Sequence, residues 1–260
     1  MINISLVDDN SRNKHSFNTK TLIPKENLYS KFWKKGRDGG LNPIVSRKLM
    51  QIADDIIKSL KLSAEPKDII ITGSIASYNW HEMSDIDLHI LYDFYEINQD
   101  YELVNKMFNQ TRINWNKTHN ITISGKEVEL YFQHAYEPHE ANGIWSLELE
   151  KWLAQPVNLD PKVDIQSAHK KAAAISSSID HLYDLFKIKN FKEAYEYSKK
   201  LKMKIVRMRR IGLQKEGIYS PENLAFKLLR NSGFIQKLSI LKIEAYDKLM
   251  SLQLQEENNE

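Results

Sequence analysis

Apolar residues recur at Val45, Leu49, Ile52, Ile56 and Leu60, the spacing of one helical face, and Asn42-Pro43 ahead of them supplies a cap and a first-turn proline. A helix is predicted from Asn42 to about Lys61. The run "DIIIT", Asp68 to Thr72, carries three consecutive isoleucines and predicts a strand buried on both faces. A second strand is expected from about Ser84 to Tyr92. A helix carrying Leu103, Met107 and Phe108 follows from about Asp100 to Lys117. "NITI", the turn pair Ser124-Gly125 and "KEVELYF" read as a hairpin. Its second arm alternates, with Val128, Leu130 and Phe132 on one side and Glu127, Glu129 and Tyr131 on the other. A loop-like stretch from 134 leads to a short aromatic segment, Ile144 to Leu153. Everything from Asp164 onward has helical spacing: roughly 164–187, 190–215 and 221–254, broken at Lys189-Asn190 and at "GIYSP".

An α/β half is thus followed by an all-helical half, with the change near 155–163, where Pro156 and Pro161 sit. The expected division is an N-terminal arm over 1–41, a mixed domain over 42–155 and a helical domain over 156–260. The arm is polar and irregular, with "GRDGG" at 36–40 marking a loop. Composition narrows the chemistry. The 260 residues hold no cysteine, which removes disulfides and thiolate sites and leaves oxygen or imidazole as metal ligands. A net charge of +3 is too small to indicate nucleic acid by itself, so any basic signal is local. No apolar run approaches the roughly 20 residues that cross a bilayer, and the start lacks the order of a secretory signal. A cytoplasmic protein without membrane contact is expected.

Chemistry concentrates in "GSIASYNWHEMSDIDLHIL", Gly73 to Leu91. A Gly-Ser turn leaving a strand exposes backbone N–H groups, and glycine lets a phosphate oxygen approach closely. On the second strand Asp85 and Asp87 are two apart, so both side chains point to one face. Carboxylates so placed repel unless a cation sits between them, and hard oxygens suit Mg²⁺. A pair of Mg²⁺ ions about 3.5–4 Å apart is a common device for phosphoryl and nucleotidyl transfer. Such a site needs a third carboxylate; the hairpin offers Glu129, with Glu127 as the less favoured stand-in.

These residues, with "VELYF" downstream, resemble the nucleotidyltransferase superfamily of DNA polymerase β-like fold, in particular its minimal and antibiotic-modifying branch. The resemblance covers about residues 43–133. It implies an α+β fold, a small mixed sheet with flanking helices, followed here by the C-terminal helical bundle. It also implies that Gly73 and Ser74 hold the nucleotide's β- and γ-phosphates and that Asp85, Asp87 and Glu129 bind two Mg²⁺ ions. Three departures stand out. Ser77 and Tyr78 replace the branch's frequent Arg-Gly, Glu129 replaces the commoner Asp, and His89 shares the aspartates' strand face where an aliphatic residue is usual.

One further feature is basic. "YSKKLKMKIVRMRRIGLQK", 197–215, holds eight Lys and Arg and no acid. On a helix Lys200, Lys204 and Arg207 form one stripe beside an apolar stripe of Leu201, Ile205 and Met208. It is either a solvated face or a cation wall, Lys204 and Arg207 foremost, for a triphosphate or a nucleic-acid substrate. The expected function is Mg²⁺-dependent transfer of NMP from an NTP to a hydroxyl of a small molecule, RNA or protein, releasing pyrophosphate. The rivals are a protein-modifying enzyme of the toxin–antitoxin type and a degenerate module that binds nucleotide or RNA without turnover.

Overall fold

The side chain of Asn42 accepts a hydrogen bond from the Ile44 amide at 2.9 Å, Pro43 fills the first turn, and helix α1 runs Pro43–Leu60. The computed structural model describes residues 16–34, 39–138, 141–158 and 163–251. These residues form two units, one within Ile23–Asp160 and one within Met1–Leu22 and Pro161–Glu260.

The first unit is a six-stranded sheet with helices. After α1 come β1 (Asp68–Thr72), β2 (Ile86–Tyr92), the short α2 (Phe94–Ile97), α3 (Tyr101–Thr118), β3 (Thr122–Ile123), β4 (Lys126–His134), β5 (Ile144–Ser146) and β6 (Lys151–Ala154). The strand order is β3-β4-β2-β1-β5-β6. β2 and β4 are parallel and every other pair is antiparallel. A parallel pair needs a crossover, and α2 and α3 lie in it. Val45, Leu49, Ile52 and Ile56 of α1 are buried with Ile71, Ile86, Leu88, Ile90 and Leu130, each side chain contributing about 1.5–3 kcal/mol over exposure. The other face buries Ile70 with Leu91 and Ile144, so β1 is covered on both sides as its isoleucines predict. The aromatic segment 144–153 resolves into the hairpin β5–β6, whose Trp145 and Trp152 pack with Trp33. Tyr29, Phe32, Trp33 and Leu41, from the predicted arm, are buried in this core.

The second unit holds α4 (Ile165–Lys187), α5 (Phe191–Glu216), α6 (Pro221–Asn231) and α7 (Phe234–Met250). Asp164, Asn190 and Ser220 cap α4, α5 and α6, each accepting from a backbone amide. The predicted helix 221–254 is two helices. The chain turns at Ser232-Gly233, with Gly233 at φ +76 and its amide donating to the Arg230 carbonyl, so "NSG" ends α6. Phe17 and Leu22 are buried among these helices, Phe17 edge-on to His169 and tilted on Phe234. No helix among the described residues is long and apolar enough to cross a membrane.

Candidate active site

The register of the sheet builds the site. Asp87 of β2 pairs with Glu129 of parallel β4, and on its other side with Thr72 of β1. Side chains of laterally paired residues share a face, so Thr72, Asp87 and Glu129 form one row across three adjacent strands. The next row along is Ile70, His89 and Tyr131. Asp87 and Glu129 are both half-buried, while the neighbouring Ile86, Leu88, Val128 and Leu130 point into the core. Glu127 is exposed and pairs with Thr122 of the hairpin arm instead.

Gly73 follows β1 with φ +76, and a Cβ there would lie 1.7 Å from Asp87 Oδ2. The missing side chain is therefore occupied by the Asp87 carboxylate. Ser74 Oγ donates to Ser84 Oγ at 2.8 Å, and Ser84 Oγ also accepts from the His81 amide at 2.9 Å. These bonds tie the Gly-Ser turn to the residues just ahead of Asp85, which is half-buried at the entrance to β2. Lys126, buried at the start of β4, donates to the carbonyls of His81 and Glu82 and fixes the same loop from the other side. Burial pushes its ammonium below the usual lysine range. Ser77, in the place of the branch's arginine, is buried and bonds the Ser74 carbonyl at 3.1 Å, so its role here is to close the turn.

Tyr131 is the residue that sequence reasoning overlooked. Its hydroxyl donates to Glu129 Oε2 at 2.5 Å. Its ring stacks on His89 with centroids 4.7 Å apart, and the Arg112 guanidinium lies 5.1 Å from the ring centre. Burial first, then the bond to Glu129, raises the phenol well above its ordinary range, so it stays a donor at neutral pH. One oxygen of Glu129 is thereby fixed, which restrains the extra methylene that distinguishes it from aspartate. The alternation of β4 places Tyr131 on Glu129's face, but nothing local in the sequence announces Arg112, whose buried Nε has no hydrogen-bond partner. Gly143 is a second such residue. A Cβ on it would meet the Ala76 carbonyl oxygen at 1.9 Å, and its own carbonyl accepts from Thr72 Oγ1 at 3.2 Å. In the "HEANGIW" segment, His139 and Glu140 lie outside the described residues.

Lys200, Lys204 and Arg207 are exposed on α5, in the helical unit, while Leu201 and Ile205 are buried. Trp80 and Trp145 serve packing: Trp80 bonds the Asn27 carbonyl and leans on Tyr29, and Trp145 is buried. Asp85, Asp87 and Glu129 are hard oxygen donors of the kind Mg²⁺ takes. Gly73, by lacking a side chain, leaves room for the Asp87 carboxylate among them. Among the described residues no three His, Asp or Glu side chains already converge as a metal cage.

The family described as nucleotidyltransferase domain matches residues 50–211, more than half of the chain. No curated protein and no solved structure matches the sequence.

Proposed function

Because the chain belongs to the nucleotidyltransferase domain family, we propose that it transfers a nucleotidyl group from an NTP to an acceptor hydroxyl at the row containing Asp87 and Glu129. The observation that carries this reading is the register itself. The parallel pairing sets Asp87 beside Glu129, and Gly73 vacates the space that the Asp87 carboxylate fills. In the proposed reaction the acceptor oxygen bonds to the α-phosphorus, the bond to the bridging oxygen of the β-phosphate breaks, and pyrophosphate leaves. Glu129 takes the hydroxyl proton on Oε1, since Tyr131 occupies Oε2. The amides of the Gly73-Ser74 turn receive the β- and γ-phosphates, joined by the Ser74 hydroxyl when it rotates from Ser84. Asp85, Asp87 and Glu129 would hold two Mg²⁺ ions, which supply charge neutralisation at the phosphates when bound. Lys204 and Arg207, exposed on α5 of the helical unit, are a separate proposal as cations for substrate phosphates.

The test is incubation of the protein with each α-³²P-labelled NTP, Mg²⁺ and a cell extract, beside an Asp87→Asn control. Label moving to RNA, protein or a small molecule identifies the acceptor class, provided that the control transfers none. Label that stays on the nucleotide under every condition would reduce the chain to a binding module.

A further inference from the structure

The helical unit contains a second collection of charge, separate in sequence from the acids of the sheet. On α5, Arg209 falls four residues after buried Ile205 and three before buried Gly212, so it borders the inward stripe although it is exposed, as Lys204 and Arg207 are. Its guanidinium lies 4.3 Å from the centre of the Phe226 ring, and its Nε donates to Asn223 Oδ1 at 3.2 Å. Asn223 is itself buried and anchored through Nδ2 to the Ile218 carbonyl at 2.7 Å. Arg209 is thus held against α6 through its Nε and the face of its guanidinium. One residue beyond Phe226 comes Lys227, half-buried, and one helical turn further Arg230.

Among the described residues no carboxylate forms an ion pair with these cations. Among the described residues, Lys227 and Arg230 make no ion pair, and the one nearby acid of α6, Glu222, is engaged by Lys171 at 3.0 Å. Burial pushes the Lys227 ammonium down to about 8, and the charges of Arg230 and Arg209 push in the same direction. Arg209 likewise feels burial and Arg230, with no acid to offset them. Like charges gathered without a counter-charge destabilise a fold unless an anion joins them. A planar arginine fork beside ammonium groups suits a phosphate oxyanion.

We infer that Arg209, oriented by Asn223 and Phe226, forms with Lys227 and Arg230 of the same α6 face a binding site for a phosphate-class oxyanion on the helical unit. The ligand is either a free polyphosphate or the phosphate backbone of a nucleic acid; both present the same chemistry. The site does not depend on the nucleotidyl-transfer reading, because none of its residues belongs to the acidic row.

Thermal unfolding of the full chain in EDTA, with sodium tripolyphosphate or a single-stranded RNA oligonucleotide, tests this. EDTA removes any metal-dependent binding at the acids. The parent's midpoint should rise by about 2–5 °C at several times the Kd. Lys227→Met keeps the apolar stem, should unfold no earlier than the parent without ligand, and should lose most of the rise. Arg230→Gln, at an exposed position, provides the same readout if Lys227→Met folds poorly. Protection by tripolyphosphate alone identifies a free phosphoanion. Protection by RNA, with a salt slope that falls by about one in either variant, identifies a backbone. Equal protection of parent and variants, or no protection of the parent by either probe, overturns the inference.

Discussion

Two turns in the sheet unit use glycine in the same conformation for different ends. At Ser124-Gly125, between β3 and β4, both residues have positive φ, +50 and +78, as a tight hairpin turn requires, and a Cβ on Gly125 would meet nothing within 4 Å. At Gly73 the φ is nearly identical, +76, but a Cβ would overlie the Asp87 carboxylate. Left-handed backbone alone therefore marks a turn. What distinguishes the Gly73 turn is the space that the absent side chain leaves, and which group fills it. The difference separates two kinds of substitution effect, one on stability and one on chemistry.

The largest effect should come from Glu129, the carboxylate paired beside Asp87 in the same row. Glu129→Gln keeps the shape of the row and removes its proton acceptor, so label transfer should fall by about 10²–10⁴-fold with the fold intact by circular dichroism. Residual transfer above a tenth of the parent's would move the base elsewhere. Gly73→Ala comes next. The methyl displaces Asp87, and a misplacement of about 1 Å can cost 10²-fold in rate, while left-handed alanine costs about 1–2 kcal/mol of stability. Turnover should thus drop far more than denaturant midpoints do; a purely thermodynamic effect would make this turn no different from the other.

Tyr131→Phe retains the stack on His89 and the contact with Arg112 but frees Glu129 Oε2. Loss of a hydrogen bond to a charged group is worth about 1.5–3 kcal/mol. It should appear in kcat with KM for NTP unchanged, which steady-state kinetics resolves. A change confined to KM would make Tyr131 a nucleotide contact. The smallest effect is Gly125→Ala, which should lower stability by about 1 kcal/mol and leave kcat and KM as they are. Any loss of turnover in that variant would erase the contrast between the turns.

Local signals carried much of this structure. The Asn42-Pro43 cap, the "DIIIT" strand, the Asp100-capped helix and the Ser124-Gly125 hairpin are each written in contiguous residues and appear where expected. The α+β class follows from them. What the sequence withheld is what distant residues decide. Parallel pairing of β2 with β4 depends on a crossover that no single window displays, and with it goes the placement of Glu129, the acid expected from the hairpin, directly beside Asp87. The Arg112–Tyr131 contact joins α3 to the far face of β4. The break at Ser232-Gly233 was legible in principle, but the apolar spacing continues on both sides and outweighs one glycine. The basic stretch 197–215 announces cations; which of them is held against α6 is settled by Asn223 and Phe226, on another helix.

The burial of Phe17 and Leu22 among α4, α6 and α7 has a consequence for synthesis. These two residues are made before their partners, Ala168 to Leu241, which emerge only after the whole sheet unit has been translated. At about 5–20 residues per second that interval is roughly 10–45 s, during which the sheet can fold and the N-terminal segment cannot. The segment carrying Phe17 and Leu22 thus keeps its apolar side chains uncovered until its last-made helices arrive, a point of attack for a protease. Pulse-chase proteolysis should find it protected only once α7 is complete.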